Sequence, residues 1–176
     1  IREENMIAYP EADIEAFKNS LVGSKIIDVN RRGKYIIIEL NINKNLVIHL
    51  RMTGKLLVKD VKEFRDKHTH VIFEFNDDAD LRFNNVRKFG RLYLITENDI
   101  EEAGNLKNLG VEPLSDKFTL ELFKEMLDQR KGMIKPLIMN QEFIAGIGNI
   151  YADEALYQAH IKPDRKANTL NAEEIE

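Results

Sequence analysis

IKPLIMNQEFIAGIGNIYADEALYQAHIKPDR, residues 134–165, is the stretch from which the rest of the chain can be read. Lys135-Pro136 opens a helix that runs to about Asn140, because proline's fixed φ and missing amide suit a first turn. Gly146-Ile147-Gly148-Asn149 is a glycine-punctuated turn. A further helix follows over 150–160, with Asp153 and Glu154 in its first turn, where carboxylates complement the helix dipole. Two helices thus flank a tight connection. Glycine lets backbone approach a ligand closely, and exposed amides at a helix start form an anion site, so a phosphate suits this turn. Asn149 as a plain N-cap satisfies the same amides with no ligand at all. Local pattern leaves both readings open.

Outward from that stretch, Leu120, Phe123, Met126 and Leu127 share one face of a helix expected over 119–131, with Arg130, Lys131 and Gly132 as a cationic last turn and a glycine stop. Another helix is expected from Asn171 onward. Residues 99–118 lose all period and carry Gly104, Gly110 and Pro113, the pattern of an irregular linker. Before it, seven short segments rich in β-branched and aromatic residues, 26–32, 35–40, 46–50, 55–59, 70–75, 80–84 and 90–96, are separated by Gly, Asn and Asp turns. That spacing predicts an antiparallel sandwich or barrel, preceded by one helix over about 12–21 with Ile14, Phe17 and Leu21 at helical spacing. The class is therefore α+β. A β-sandwich domain spans 1–98, a linker 99–118 and a helical domain 119–176.

At 176 residues with 43% hydrophobic content the chain can bury a core in each part. No run of about 18 apolar residues and no secretory pattern is present, so no membrane association and a cytoplasmic location are expected. The absence of cysteine removes disulfides, thiolate zinc sites and cysteine nucleophiles. A net charge of −4 argues mildly against nucleic acid, yet the charge is uneven. Lys25, Arg31, Arg32 and Lys34 crowd one stretch and Arg82, Arg87, Lys88 and Arg91 another, while acids collect at 77–80 and 99–102. A basic face with an acidic back fits this, and so does ordinary solvated charge.

Residues 84–91, NNVRKFGR, place an aromatic among cations on a loop between strands. Basic groups grip phosphates and an exposed aromatic can wedge between bases; otherwise Phe89 packs in the core and the cations are solvated. Met52 follows a buried strand at a glycine turn, where methionine commonly fills a gap. Lys34, fixed by Gly33 and a following strand, presents its amine outward as a donor or proton carrier, or simply to solvent. His49 lies in an apolar strand, a structural position. His68, at a strand entrance, could donate to a phosphate. None of the histidines has the spacing of a metal site.

Taken together, the strings RRGKYIIIEL, HLRMTG, KHTH, VRKFG, NLGVEPLSD and the residues quoted at the outset, in this order and spacing, resemble the formamidopyrimidine-DNA glycosylases. The resemblance extends over nearly all of the chain from about Leu21, and its glycine turn is specific to the helix-two-turns-helix region of that family and its endonuclease VIII-like cousins. It implies that Lys34 is a catalytic residue of the elimination step. Met52, Arg87 and Phe89 would fill the gap left by an everted nucleotide, a trio that separates this branch from the endonuclease VIII branch. His68, Arg87 and Asn149 match DNA-contacting positions, Lys135 is a further candidate, and Gly146 and Gly148 form the phosphate turn. Arg130 falls where members often carry lysine, and Lys88 where many carry a second arginine.

By the same resemblance, the activity is base-excision repair of oxidised purines such as 8-oxoguanine and formamidopyrimidines, followed by β- and δ-elimination at the abasic site. The partner is double-stranded DNA containing oxidised bases, bound by a monomer associated with the nucleoid. The family's nucleophile is an N-terminal proline amine beside a glutamate, and its single zinc sits in a C-terminal cysteine finger. Neither is in this chain, so the expectation is a fragment, inactive alone and without a cofactor of its own. The alternatives are a non-catalytic DNA-binding module and an endonuclease VIII-like enzyme for oxidised pyrimidines.

Overall fold

Gly33, with φ +55°, and Lys34 make a two-residue hairpin between β1 (Ile26–Arg32) and β2 (Tyr35–Leu40), with Arg32 paired to Tyr35 across it. Glycine at the first position of such a turn matches the strands' right-handed twist. The computed structural model describes residues 1–8 and 13–176 and divides into two units, Ile1–Gly104 and Asn105–Glu176. In the first unit all seven expected strands are present. With β3 (Lys44–His49), β4 (Gly54–Asp60), β5 (Thr69–Glu74), β6 (Ala79–Asn85) and β7 (Arg91–Thr96), they form a four-stranded sheet β1-β2-β3-β7 and a three-stranded sheet β4-β6-β5. All pairings are antiparallel.

The two sheets bury Ile38, Ile48 and Leu92 from one side and Val71, Leu81 and Phe83 from the other, together with Met6 and Phe17. Each such side chain contributes roughly 1.5–3 kcal/mol on leaving water. Phe17 comes from α1 (Ile14–Leu21), whose first amides are capped by Asp13 Oδ1 at 3.0 Å from the N–H groups of Glu15 and Ala16. The expected helix start at Ala12 lies outside the described residues. Arg82, counted above with a basic face, is instead 3% exposed and paired to buried Asp80 at 3.1 Å. It donates to the carbonyls of Asp60 and Phe64 and so ties the loop after β4 to the sheet.

Parts of the stretch 99–118 pack on the elements that flank it. A 3-10 turn, Glu97–Glu102, packs on β3 and β7, with Ala103 wholly buried behind it. Gly110 and Val111 belong to the second unit: Gly110 N–H donates to Gln141, Val111 bridges Ile144, and its carbonyl accepts from Ala145. Gly110 is held by close packing, since a Cβ there would lie 2.3 Å from the Phe143 carbonyl oxygen.

The second unit holds α2 (Leu120–Asp128), α3 (Ile134–Met139), α4 (Asn149–Gln158) and α5 (Ala172–Ile175) around Leu127, Ile134, Ile138, Ile144, Ala152 and Leu156. α2 stops at Asp128, so Arg130 and Lys131 lie beyond its last turn. The first amides of α3 have no side-chain cap. Those of Ile134 and Lys135 donate to the carbonyls of Arg165 and Pro163, and Pro136, third in the helix, has none to satisfy. α5 carries a capping box between Asn171 and Glu174.

Candidate nucleic-acid interface

Register places the first candidate group. Tyr35, His49 and Arg91 lie side by side across β2, β3 and β7, while Gly54 and Thr69 flank the end of β6 at Asn85 and Asn84. Each sheet therefore delivers its loops to one end. Lys34, Met52, His68, Arg87 and Phe89 are carried on those loops.

Met52 is 78% exposed and Phe89 53% exposed, so neither fills the core. Arg87 joins them: its guanidinium donates to Met52 Sδ at 3.1 Å and sits 5.1 Å from the centre of the Phe89 ring. An apolar pair held out in solvent around a cation suits a base stack with its flanking phosphates better than a protein interior. Gly90 beneath them is fixed by packing, since a Cβ would lie 2.3 Å from the Phe83 ring. Lys88 is drawn away to Glu3 at 2.7 Å.

Lys34 has its pKa lowered by partial desolvation of its amine, which makes the ammonium a readier proton donor. Nearby, His49 accepts the Arg51 amide on Nδ1 at 3.0 Å, which leaves Nε2 to carry the proton of the neutral ring, and it meets the Tyr35 ring edge-on. Burial first, then Arg51 and Lys34, push its pKa down to about 4. His49 therefore stays neutral at physiological pH. His68 is half-buried at the entrance to β5, and its turn is set by Asp66, which accepts the His68 amide at 2.6 Å and the Asn84 side chain.

The second group lies on the helical unit. Gly148, not Asn149, is the N-cap of α4, and no side chain caps its first amides. The N-cap reading of Asn149 is thus overturned: Asn149 is the first helical residue and its side chain reaches Asp153 at 3.3 Å. The earlier start moves Asp153 into the second turn, where its other oxygen binds Lys135 Nζ at 2.6 Å. Lys135 and Asn149 therefore converge on one carboxylate. Arg130 goes elsewhere, over the Phe143 ring at 5.5 Å. Gly146 takes φ +89°, and the turn is pinned by Gln141, whose Nε2 donates to the carbonyls of Met139 and Ile147 while its Oε1 accepts the Gly146 amide.

Sequence reasoning assigned no role to Gln141, in the loop after α3, or to Asn85, at the end of β6. Each sits beside other polar residues, Asn140 and Glu142 in one case and Asn84 in the other, so nothing local singles it out. Among the described residues no three His, Cys, Asp or Glu side chains gather as a metal site, and no helix is long and apolar enough to cross a membrane.

Residues 1–92 match the model of the formamidopyrimidine-DNA glycosylase N-terminal domain, and 109–176 that of the formamidopyrimidine-DNA glycosylase H2TH domain. The formamidopyrimidine-DNA glycosylase of Pelotomaculum thermopropionicum is 45% identical over 163 residues, covering 93% of this chain and 59% of the relative. That of Lactiplantibacillus plantarum is 43% identical, covering 93% and 60%. The chain thus spans about 60% of the length of the curated relatives it matches. Among solved structures, the Lactococcus lactis FPG (MutM) in complex with DNA containing FAPY-dG superposes with a TM-score of 0.89 at 36% identity, covering 98% of this chain and 63% of that one. The Lactococcus lactis Fpg in complex with DNA containing an abasic site gives 0.84 at 38% identity, covering 92% and 59%. With two domain models matched over nearly its whole length, the chain belongs to the formamidopyrimidine-DNA glycosylase family.

Proposed function

We propose that the full-length protein is a base-excision repair glycosylase that removes oxidised purines, 8-oxoguanine and formamidopyrimidines, and then opens the abasic strand by β- and δ-elimination. The observation that carries this reading is the exposed contact of Arg87 with both Met52 and Phe89. A base buried in a duplex must leave the stack before chemistry reaches it, at a cost of roughly a few kcal/mol, and side chains that fill the gap offset that cost.

Phosphate grips come from Arg87, from His68 and, on the helical unit, from the uncapped start of α4 with Gly146 and Gly148, together with Lys135 and Asn149. Arg130 contributes long-range attraction from beside Phe143. The nucleophile is the amine of an N-terminal proline, which attacks the sugar C1′, expels the base and forms a Schiff base. Lys34, its acidity raised by burial, supplies or relays a proton during elimination. A zinc finger of the kind known in the family adds a further grip on DNA, and the protein works as a monomer.

Borohydride reduction in the presence of a duplex containing 8-oxoguanine tests the proposal. The full-length protein is expected to form a covalent adduct with the damaged strand. Cleavage of the glycosidic bond with no trapped adduct would rule out the lyase route, and neither product would rule out the enzyme.

A further inference from the structure

The two turns that bear Met52 and Phe89 share a feature not explained by strand geometry. Arg51, directly before Met52, has φ +57°, and Lys88, directly before Phe89, has φ +58°. Neither is glycine, and a left-handed conformation costs such residues roughly 1–2 kcal/mol each. Two strained residues placed immediately before two exposed apolar side chains need something that holds both turns.

That something is Asn85, wholly buried at the end of β6. Its Nδ2 donates to the Leu50 carbonyl at 3.2 Å, in the turn before Met52, and its Oδ1 accepts the Thr53 hydroxyl at 3.0 Å, in the turn after it. The Thr53 oxygen accepts in turn from the Arg87 amide at 3.2 Å. The Asn85 carbonyl accepts the Lys88 amide at 3.3 Å, closing the turn that carries Phe89, and receives His70 Nε2 at 3.0 Å. The Leu50 carbonyl can only accept, and the Thr53 oxygen already accepts from Arg87 and has one proton to give, so the Asn85 amide must turn Nδ2 to Leu50 and Oδ1 to Thr53.

We propose that Asn85 and Thr53 are positioning residues that lock the Met52 turn to the Arg87–Phe89 turn, so that the three side chains enter a base stack as one body. The claim rests on the gap-filling reading of those three residues. Without the lock each turn relaxes toward ordinary φ separately, and the side chains would arrive out of register with one another. Affinity for intact DNA, set mainly by phosphate contacts, would be spared.

The test uses the full-length protein, saturating on a duplex with a tetrahydrofuran abasic analogue opposite 2-aminopurine, whose fluorescence rises when the base is unstacked. Thr53→Val keeps the shape of the side chain and removes the hydroxyl; Thr53→Ser restores the hydroxyl; Asn85→Asp removes the donor to Leu50. Wild type and Thr53→Ser should give the full rise, while Thr53→Val and Asn85→Asp should lose at least half of it, with affinity for undamaged duplex within twofold of wild type. A full rise in Thr53→Val and Asn85→Asp overturns the lock, and so does an equal loss in Thr53→Ser. Arg87→Ala and Phe89→Ala serve as references. If they too leave the rise intact, the gap-filling reading itself has failed, and the lock with it.

Discussion

Asp153 draws both Lys135 and Asn149 to itself, at 2.6 and 3.3 Å, and so occupies the two groups best placed to meet a phosphate beside α4. It is half exposed, which keeps the pair weak. Binding a phosphate there means exchanging one anion for another, with the carboxylate left close to the incoming charge. Asp153→Asn is therefore expected to tighten DNA binding by about 1.4- to fivefold, the range for a partly exposed pair worth roughly 0.2–1 kcal/mol, as read by fluorescence anisotropy. Weaker binding would instead mean that Asp153 orients its partners. Arg87 belongs to the same scale. Arg87→Ala in the full-length protein should lower affinity and reduce the slope of log K against log salt by about one unit. An unchanged slope would deny Arg87 a phosphate. The contact of Arg87 with Met52 has no local signal, because Met52 lies 35 positions away on a separate loop and only the fold brings the two loops together, whereas Phe89 is two positions along the same loop.

At the level of elements, β-branched and aromatic content between turn residues placed all seven strands, and an amphipathic face, a proline and a glycine turn placed the helices of the second unit to within a few residues. Helix ends were the weak points. α2 was expected to continue through Arg130 because cations suit a last turn, yet it ends at Asp128, and the Arg130 and Gly132 carbonyls accept from Asn168 and Ala167 instead. Asn149 has the chemistry of an N-cap, but the turn held by Gln141 brings Gly148 into that place. The stretch 99–118 carries a similar case. Gly110 marks an irregular stretch in sequence, and in the fold the Phe143 and Glu142 carbonyls lie where its Cβ would be. Gly110→Ala is expected to destabilise the chain by about 1–3 kcal/mol in a urea titration, as overpacking against backbone does. A loss of a few tenths would mean that the 142–143 backbone gives way to the added methyl.

For the molecule as a whole, the net charge of −4 proved a poor guide, because charge counts ignore burial. Arg82 is spent on Asp80 inside the sandwich, and Lys88 on Glu3, so the formal balance says little about the end that carries Arg87. Stability against pH carries a similar lesson. His49 is held neutral in the fold, down to about pH 4, but takes up a proton near 6.5 when unfolded. The unfolded chain then binds more protons, so this contribution is complete above pH 6.5 and is lost as pH falls toward 4. The melting temperature should drop across that window, and His49→Gln should flatten the part between pH 6.5 and 4.5, above the range where Glu3 and Glu63 begin to protonate. An identical profile in the variant would place the proton uptake elsewhere.

Residue pattern alone was enough to determine the class of fold, the order of the elements, the glycine turn before α4 and the family, because periodicity, turn chemistry and motif spacing are local properties of a chain. Which side chains are exposed, which cations are already paired, where Asn149 and Asp153 fall on α4, and the hydrogen-bonded bridge from Asn85 through Thr53 to Arg87 were decided only by the tertiary structure. Those depend on strand register and on loops meeting across two sheets, and no local pattern encodes contacts between residues 30 or more positions apart.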